Sequence, residues 1–347
     1  MPRPGGCDKN RGLMVPGGSD VYGRARGTKW TVVPAMTIVE TMHRHQAARD
    51  AVLQIANLTH VYSGGVRALD DVSLSIPHGM YGLLGPNGAG KSTLMRIIST
   101  LQRPSAGQVL FEGSDVVKQP GIIREALGYL PQEFGVYPKI SAEALLDHIA
   151  VLKRIGPAPR RREQIRAVLE KTNLSDVRSR EVSRFSGGMR QRFGIAQALL
   201  GDPHLLIVDE PTAGLDPAER ARFHDLLGEI GENIVVLLST HILDDVAKLC
   251  PRLAILVGGR VVAQGEISAL AAGLHGRIWR KSVARAELNE MRSAMRVVSL
   301  RYLEGRTIVH VLSDTSPAEG FELIEGDLQD LYFAMTSERA DAAISSL

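Results

Sequence analysis

A glycine-rich stretch, GPNGAGKST at residues 85–93, follows the apolar run MYGLL. Glycines allow backbone conformations that other residues avoid, so successive N–H groups can turn inward and form a concave site for an anion. The helix that we expect to begin near Gly90 points its positive dipole end at the same place. The spacing from Gly85 to Gly90, Lys91 and Ser92 is that of a P-loop, and it predicts a cradle for a triphosphate.

Two side chains of this stretch carry groups that phosphates and their counter-ions use. Lys91 is expected to place a full charge at the β- and γ-phosphates, and Ser92 to offer its hydroxyl to a Mg²⁺ ion that bridges them. Mg²⁺ prefers hard oxygen ligands and takes few of them from protein. The predicted nucleotide contacts in this stretch are Gly85, Pro86, Asn87, Gly88, Ala89, Gly90, Lys91, Ser92 and Thr93.

An apolar run, LLIVDE at residues 205–210, ends in two adjacent acids. Taken alone, this pattern is more typical of a buried strand followed by solvated acids. Ligands of open α/β sheets, however, bind at the carboxyl ends of the strands. Beside a P-loop the pattern therefore predicts that Asp209 holds Mg²⁺, directly or through water, and that Glu210 orients and deprotonates the attacking water.

A second glycine turn precedes another amphipathic run. Ser186, Gly187 and Gly188 lead into the segment that extends from Met189 to Leu200. A helix N-terminus of this kind suits a γ-phosphate, although an isolated SGG turn is common in loops. The chain thus contains two candidate phosphate cradles that lie far apart in sequence.

The elements that must position these groups alternate between short apolar strands and amphipathic stretches from Val52 onward. LLIVDE and IVVLLST are near-continuous apolar runs, which suit parallel strands buried on both faces. SAEALLDHIAVLKRI has a Ser141 N-cap and apolar residues at helical spacing. We therefore expect an α/β core with a mainly parallel sheet. From about Leu274, a helix near RAELNEMRSAM and a hairpin about Glu304 and Gly305 predict a small α+β region.

The composition argues against several classes of protein. The 41 basic and 38 acidic residues are interspersed over 347 positions, which argues against a dedicated nucleic-acid surface. The longest apolar runs are strand-sized and far short of the ~20 residues that a helix needs to cross a bilayer. Cys7 and Cys250 lie far apart without metal-ligand spacing, so the sequence predicts neither a disulfide framework nor a zinc site.

In their order and spacing, the motifs over roughly residues 52–270 resemble those of the ATP-binding-cassette (ABC) ATPase family. In that family two cassettes face head to tail, and the Walker A motif of one and the signature of the other enclose each ATP. The resemblance therefore implies that Ser186, Gly187 and Gly188 contact the ATP of a partner protomer. The signature departs from the commonest LSGGQ form at Phe185 and Met189, and we expect activity to survive this. The matching segments are GPNGAGKST (Walker A), LPQ (Q-loop), FSGGMRQ (signature), LLIVDEP (Walker B), AGLDP (D-loop) and STH (switch).

The resemblance also implies roles for residues outside the two cradles. Gln132 would sense Mg²⁺ and the attacking water, and His241 would contact the γ-phosphate. Asp216 would belong to the D-loop, and Tyr62 occupies the position where the family stacks an aromatic ring on adenine. The implied catalytic residues are Glu210, His241 and Gln132, and the implied metal ligands are Ser92, Gln132 and Asp209.

The predicted organisation has three parts. Residues 1–50 form a leader that is rich in glycine and proline, has no secretion signal and is expected to be disordered and dispensable, with Met36 or Met42 as a better start. Residues 51–273 form an α/β P-loop NTPase cassette, with an antiparallel β subdomain and a helical subdomain at about 133–190. Residues 274–347 form the C-terminal α+β region.

We expect an ATP-hydrolysing ABC subunit that dimerises with a second cassette and drives a separate polytopic membrane permease from the cytoplasmic face of the membrane. The stretch YLPQEFGVYPKISAEALLDHIAVLKRIG looks most like stand-alone bacterial exporter ATPases, and an importer ATPase is the nearest alternative. The expected permease contact lies beside Gln132 and residues 141–155, around Glu133 and Tyr137. A non-transport ABC ATPase that acts on ribosomes or DNA is a further alternative, although the chain has a single cassette and no nucleic-acid partner is expected.

Overall fold

The computed structural model describes residues 51–132, 135, 139–303 and 305–344, with the backbone alone for residues 337–344. The predicted leader, residues 1–50, lies outside the described residues, and so do Glu133 and Tyr137. Within the described part of the chain, no helix is long and apolar enough to cross a bilayer.

A six-stranded sheet lies at the centre of the fold. It consists of β3 (Gly79–Leu84), β6 (Leu127–Leu130), β7 (Leu205–Asp209), β8 (Val235–Thr240), β9 (Arg252–Val257) and β10 (Arg260–Glu266), in the order β10-β9-β3-β8-β7-β6. Five strands run parallel, and β10 pairs antiparallel with β9 at one edge. Every residue of β7 and β8 is buried, as expected for parallel strands covered on both faces. The predicted mainly parallel sheet is confirmed.

A second, antiparallel sheet supports the helix that starts at the P-loop. It consists of β1 (Ala51–Val61), β2 (Arg67–Pro77), β4 (Ala106–Phe111) and β5 (Ser114–Asp115), in the order β2-β1-β4-β5. The helix α1 (Lys91–Ile98) begins where the sequence predicts it, with Gly90 as its N-cap. Its Leu94 belongs to one buried cluster with Ile76 of β2 and Leu237 of β8, so α1 shares its core with both sheets.

Helices on the other face of the central sheet follow the strands that carry the acids and the switch histidine. These helices are α6 (Pro217–Gly231) and α7 (Leu243–Leu249). Two other short helices, α2 (Pro120–Ala126) and α8 (Ile267–Ala272), lie elsewhere in the cassette. Phe223 and Leu227 of α6 and Val246 of α7 are buried in one cluster with Leu238 of β8. This apolar packing sets where the loops at the carboxyl ends of β7 and β8 begin.

A helical layer separates β6 from β7 in sequence. It comprises α3 (Ala142–Leu152), α4 (Ala158–Lys171) and α5 (Gly187–Leu199), and Leu146, Leu169 and Phe193 join them in one buried cluster. The predicted Ser141 N-cap is present, since its side chain accepts a hydrogen bond from the Ala144 N–H at 3.3 Å. The apolar cluster continues through α5 to Leu200.

The C-terminal region is an antiparallel sheet with two helices. Its strands are β11 (Ile278–Val283), β12 (Val297–Leu303), β13 (Arg306–Leu312) and β14 (Glu322–Ile324), in the order β12-β13-β11-β14, and its helices are α9 (Leu288–Ala294) and α10 (Leu328–Ile344). The antiparallel pairing of β12 with β13 confirms the predicted hairpin. Ile278 and Leu331 are buried in the same cluster as Leu253 of β9, so this region shares a hydrophobic core with the cassette.

Candidate active site

The glycines of the P-loop allow its backbone to run close to neighbouring strands. A Cβ atom at residue 85 would lie 2.3 Å from the carbonyl oxygen of Leu256, and one at residue 90 would lie 2.5 Å from that of Ala68. Gly90 also has φ 105°, a conformation that side chains rarely permit. Glycine is therefore required at both positions for the loop to turn between β3 and α1.

Lys91 is folded into this loop. Its Nζ donates hydrogen bonds to the carbonyl oxygens of Gly85 at 2.5 Å and Pro86 at 3.2 Å. Burial lowers the pKa of Lys91, and the negative charges of Glu210 and Asp209 partly offset this effect. The ammonium group thus lies within electrostatic reach of both acids and among groups that a phosphate oxygen could replace.

Tyr62 lies beside the first turn of α1. Its hydroxyl is 3.0 Å from Oγ1 of Thr93, and this hydrogen bond is the main cause that lowers the pKa of Tyr62. The ring of His60 contacts the Tyr62 ring edge-on, with centroids 4.7 Å apart. Tyr62 remains 38% exposed, so part of this residue is accessible to a ligand next to the P-loop.

The two acids at the end of β7 are both buried, but their environments differ. Asp209 pairs with Ser239 in the ladder between β7 and β8, and burial raises the pKa of Asp209. Glu210 follows with φ 48°, a left-handed conformation that is costly for a residue with a side chain. Its N–H donates to the Ser239 carbonyl at 2.8 Å, which fixes the turn against β8.

Glu210 and His241 form a direct pair. Oε2 of Glu210 lies 2.8 Å from Nδ1 of His241 and also accepts from the Thr240 hydroxyl at 3.4 Å. Glu210 is 7% exposed, whereas the His241 side chain is 56% exposed. The structure therefore brings together Lys91, Asp209, Glu210 and His241, which come from three separate segments of the sequence.

Gln132 lies two residues beyond β6 and is exposed. β6 pairs in parallel with β7, with Leu130 opposite Val208, so both strands end at the same edge of the sheet. Gln132 and Asp209 thus follow neighbouring strands at that edge. The role of Gln132 toward Mg²⁺ or water stays a prediction.

The signature turn packs against α6. Ser186 is the N-cap of α5, and its hydroxyl accepts from the Met189 N–H at 3.2 Å. A Cβ at residue 188 would lie 2.2 Å from Oε2 of Glu219, whereas residue 187 has open space around it. Asp216 is the N-cap of α6, and its carboxylate accepts from the Glu219 N–H at 2.8 Å. A side chain at 188 would therefore have to displace that of Glu219, and the contacts of these residues with a nucleotide stay predictions.

Sequence reasoning missed a buried acid near the switch histidine. Asp245 is fully buried in the first turn of α7, and Arg220, His224 and Thr212 all hydrogen-bond to its carboxylate. The only sequence signal was a pair of acids, Asp244 and Asp245, at the start of a short helix. Such acids are ordinarily solvated, so the pattern alone does not distinguish a buried partner.

Comparisons with known proteins identify the family. A model described as ABC transporter matches residues 69–213. The chain is 32% identical over 310 residues to the daunorubicin/doxorubicin resistance ATP-binding protein DrrA of Streptomyces peucetius, and the match covers 83% of this chain and 93% of DrrA. The chain belongs to the ABC transporter ATP-binding family. This ABC protein is also 34% identical over 256 residues to the methionine import ATP-binding protein MetN 1 of Paraburkholderia xenovorans, across 71% of this chain and 74% of MetN 1.

A solved structure supports the ABC fold and the enzymatic activity. The post-hydrolysis state of the dimeric ATP-binding cassette MJ0796, bound to ADP and Pi, matches with a TM-score of 0.56 and 26% sequence identity, over 62% of this chain and 98% of that chain. The ABC protein described here is accordingly an ATP-binding subunit with a P-loop NTPase fold and an ATP hydrolase. The family resemblance read from the motifs is confirmed. The relatives include both a resistance protein and an importer subunit, so the direction of transport does not follow from them.

Proposed function

We propose that this ABC ATPase works as a dimer around two ATP molecules and drives a separate membrane permease that exports its substrate. The observation that carries the hydrolytic part is the 2.8 Å contact between Glu210 and His241 at the sheet edge that also holds Asp209 and approaches Lys91. Hydrolysis of a phosphoanhydride needs a base, a second polar group and a cation close together, and Glu210, His241 and Lys91 are of these kinds.

The P-loop residues would bind the triphosphate. The N–H groups of the loop and of the first turn of α1 form the anion site, and Lys91 exchanges the carbonyls of Gly85 and Pro86 for phosphate oxygens. The exposed part of the Tyr62 ring would stack on adenine, while Thr93 holds its hydroxyl. These residues bind and orient the nucleotide and take no part in proton transfer.

Ser92, Asp209 and Gln132 would hold Mg²⁺. The site fits a cation because Asp209 is buried, and burial destabilises the charged form of its carboxylate. A bound metal ion would stabilise that charged form. When bound, Mg²⁺ neutralises charge on the phosphate oxygens. The protein's own part is to offer oxygen ligands at the carboxyl ends of β6 and β7 and at the start of α1.

Glu210 would accept the proton of the attacking water. Its Oε2 is engaged by Nδ1 of His241, which leaves Oε1 for the water and Nε2 of His241 for the γ-phosphate. The buried position of Glu210 favours direct contact with one water over bulk solvent. His241 therefore has two tasks in this proposal, to orient the base and to contact the phosphate.

The signature and the D-loop would complete the site of a partner protomer. Ser186, Gly187 and Gly188 stand at the N-terminus of α5, where N–H groups and a helix dipole favour an anion, and Asp216 stands at the start of α6. The dimeric state of the MJ0796 cassette supports this arrangement. The partner is a second copy of the chain or a paralogue.

Export and a cytoplasmic position at the membrane form the finer part of the proposal. Similarity to a resistance protein supports export, because resistance follows when a compound is moved out of the cell. Similarity to MetN 1 makes an importer subunit the second candidate. The proposed permease contact lies beside Gln132 and α3, and nucleic acid is not expected as a partner.

Three experiments test this function. Purification of the native protein from membranes in mild detergent should recover a polytopic membrane protein, and recovery of ribosomes or DNA in its place at physiological salt would contradict a transport role. A Glu210→Gln protein with ATP and Mg²⁺ should sediment as a dimer together with its permease. In inverted vesicles with the permease, ATP-driven accumulation of substrate inside the vesicle indicates export, whereas ATP-driven loss indicates import.

A further inference from the structure

A buried carboxylate joins three segments of the candidate site. Asp245 is fully buried, and its Oδ1 accepts from Nε of Arg220 at 2.8 Å and lies 2.8 Å from Nε2 of His224. The hydroxyl of Thr212 donates to Oδ2 of the same carboxylate. Thr212 and His224 are also buried, so water does not compete for these contacts.

The partners of Asp245 lie close in sequence to the proposed catalytic pair. Thr212 follows Glu210 by two residues, and Asp245 follows His241 by four. The bond from Thr212 to Asp245 thus adds a connection between the segments that carry Glu210 and His241, besides the 2.8 Å contact between those two residues. Arg220 and His224 add a connection to α6, which begins at Asp216.

Glu210 needs such support because its backbone is strained. At φ 48° it adopts a left-handed conformation that persists only where surrounding contacts over-determine it. The Glu210 N–H bond to Ser239 holds one side of the turn, and Thr212 holds the other through Asp245. Loss of the second contact would free the turn while leaving the P-loop untouched.

We propose that Asp245 is a positioning residue for ATP hydrolysis, which fixes Glu210 relative to His241 and connects both to the helix that follows the D-loop. The inference rests on the proposed roles of Glu210 and His241. Asp245 itself does not contact nucleotide. Its carboxylate acts through Thr212 on one side and through α7 on the other, so a change at this residue alters the geometry of the base more than the binding of the phosphates.

The chain offers a matched control in its C-terminal region. Asp330 is also fully buried, accepts from the Ser299 hydroxyl at 2.6 Å and lies 2.9 Å from Nδ1 of His310. Like Asp245, it is a buried carboxylate with a hydroxyl and an imidazole as partners, although its nearest guanidinium, that of Arg301, lies at 3.8 Å, compared with 2.8 Å for Arg220 and Asp245. It connects α10 to the C-terminal sheet and not to any segment of the proposed site. If Asp245 served only the stability of the fold, replacement of Asp245 and of Asp330 by asparagine should have the same effects on Tm and kcat.

The experiment compares Asp245→Asn, Thr212→Val and Asp330→Asn in the full chain. Steady-state ATP hydrolysis gives kcat and KM, titration with a fluorescent ATP analogue gives the dissociation constant, and thermal unfolding gives Tm. Asp245→Asn should lower kcat by about 10- to 100-fold, since small displacements of catalytic groups have effects of this size, and leave the dissociation constant within roughly threefold. Asp330→Asn should lower Tm but keep kcat within about twofold.

Thr212→Val keeps the inference testable if Asp245→Asn does not fold. It removes one hydroxyl without a change of volume, and it should lower kcat on its own by several-fold, with less effect in the Asp245→Asn background because both changes break the same bond. A wild-type kcat in both Asp245→Asn and Thr212→Val would overturn the inference. An equal loss of kcat in Asp330→Asn, or a parallel loss of ATP affinity, would overturn it too.

The same assays separate this inference from the proposed function. If Glu210→Gln abolishes hydrolysis while Asp245→Asn does not affect it, the positioning role of Asp245 is wrong and the assignment of the base stands. If Glu210→Gln hydrolyses ATP at the wild-type rate, the proposed active site itself is wrong.

Discussion

Substitution of Glu210 by glutamine tests the base directly, because it removes the negative charge and keeps the size of the side chain. Oε2 of Glu210 lies 2.8 Å from Nδ1 of His241 and 3.4 Å from the Thr240 hydroxyl, and an amide oxygen can accept from both groups. The bond from the Glu210 N–H to Ser239 belongs to the backbone and is unaffected. We therefore expect the fold and the ATP affinity of the Glu210→Gln protein to match the wild type.

The expected loss of rate follows from the chemistry of the missing group. A positioned general base contributes about 10²–10⁴-fold to a rate, which corresponds to roughly 3–5 kcal/mol of activation free energy. A neutral amide cannot take the proton from water, so kcat should fall by this amount. KM should change little, because Lys91 and the P-loop N–H groups that hold the phosphates remain in place.

Phosphate release by the full chain at saturating ATP and Mg²⁺ measures this loss. Glu112→Gln is a matched control, since Oε1 of Glu112 also lies 3.1 Å from a histidine, Nδ1 of His204, but both side chains are largely exposed. The control should keep kcat within about twofold, because an exposed ion pair contributes little to stability. A Glu210→Gln protein with more than roughly a tenth of the wild-type kcat would refute the assignment of Glu210 as the base.

Three further changes test the cradle and the C-terminal core. Lys91→Ala removes a charge-assisted hydrogen-bond donor and should weaken ATP binding by about 2 kcal/mol, roughly 30-fold, in a nucleotide titration, with Tm unchanged as the sign that the fold survives. Gly90→Ala puts a Cβ 2.5 Å from the Ala68 carbonyl at a positive φ, so it should abolish ATP binding and lower Tm, and normal binding would contradict the geometry of the loop. Burial alone would raise the pKa of Asp330, but hydrogen bonds from His310 and Ser299 lower it below its usual value. The stability from this group is therefore present above about pH 4 and is lost as pH falls through the lower pKa of the folded state, so Asp330→Asn should lower Tm at pH 7 and flatten the acid limb of a Tm-against-pH curve.

Much of the fold could be predicted from the sequence, because its strongest signals are local. The near-continuous apolar runs of β7 and β8 required burial on both faces, and the sheet contains them as parallel neighbours. Ser141 and Ser186 cap helices at the positions that their side chains allow. The shared core between the C-terminal region and the cassette could not be predicted, because the change in pattern near Leu274 shows where a region begins but not what its apolar face contacts.

The candidate site likewise has a part that could be predicted from the sequence and a part that only the structure shows. The sequence by itself determined the P-loop, since a phosphate cradle is built from consecutive backbone N–H groups and its glycines, lysine and serine are contiguous. It also determined that Asp209 and Glu210 end a buried strand. Only the tertiary structure decided that Glu210 contacts His241, that Gly188 lies against the Glu219 side chain, and that Asp245 connects three segments. These contacts join residues that are distant in the chain, and their distances depend on how whole strands and helices pack, which no local pattern of residue types encodes.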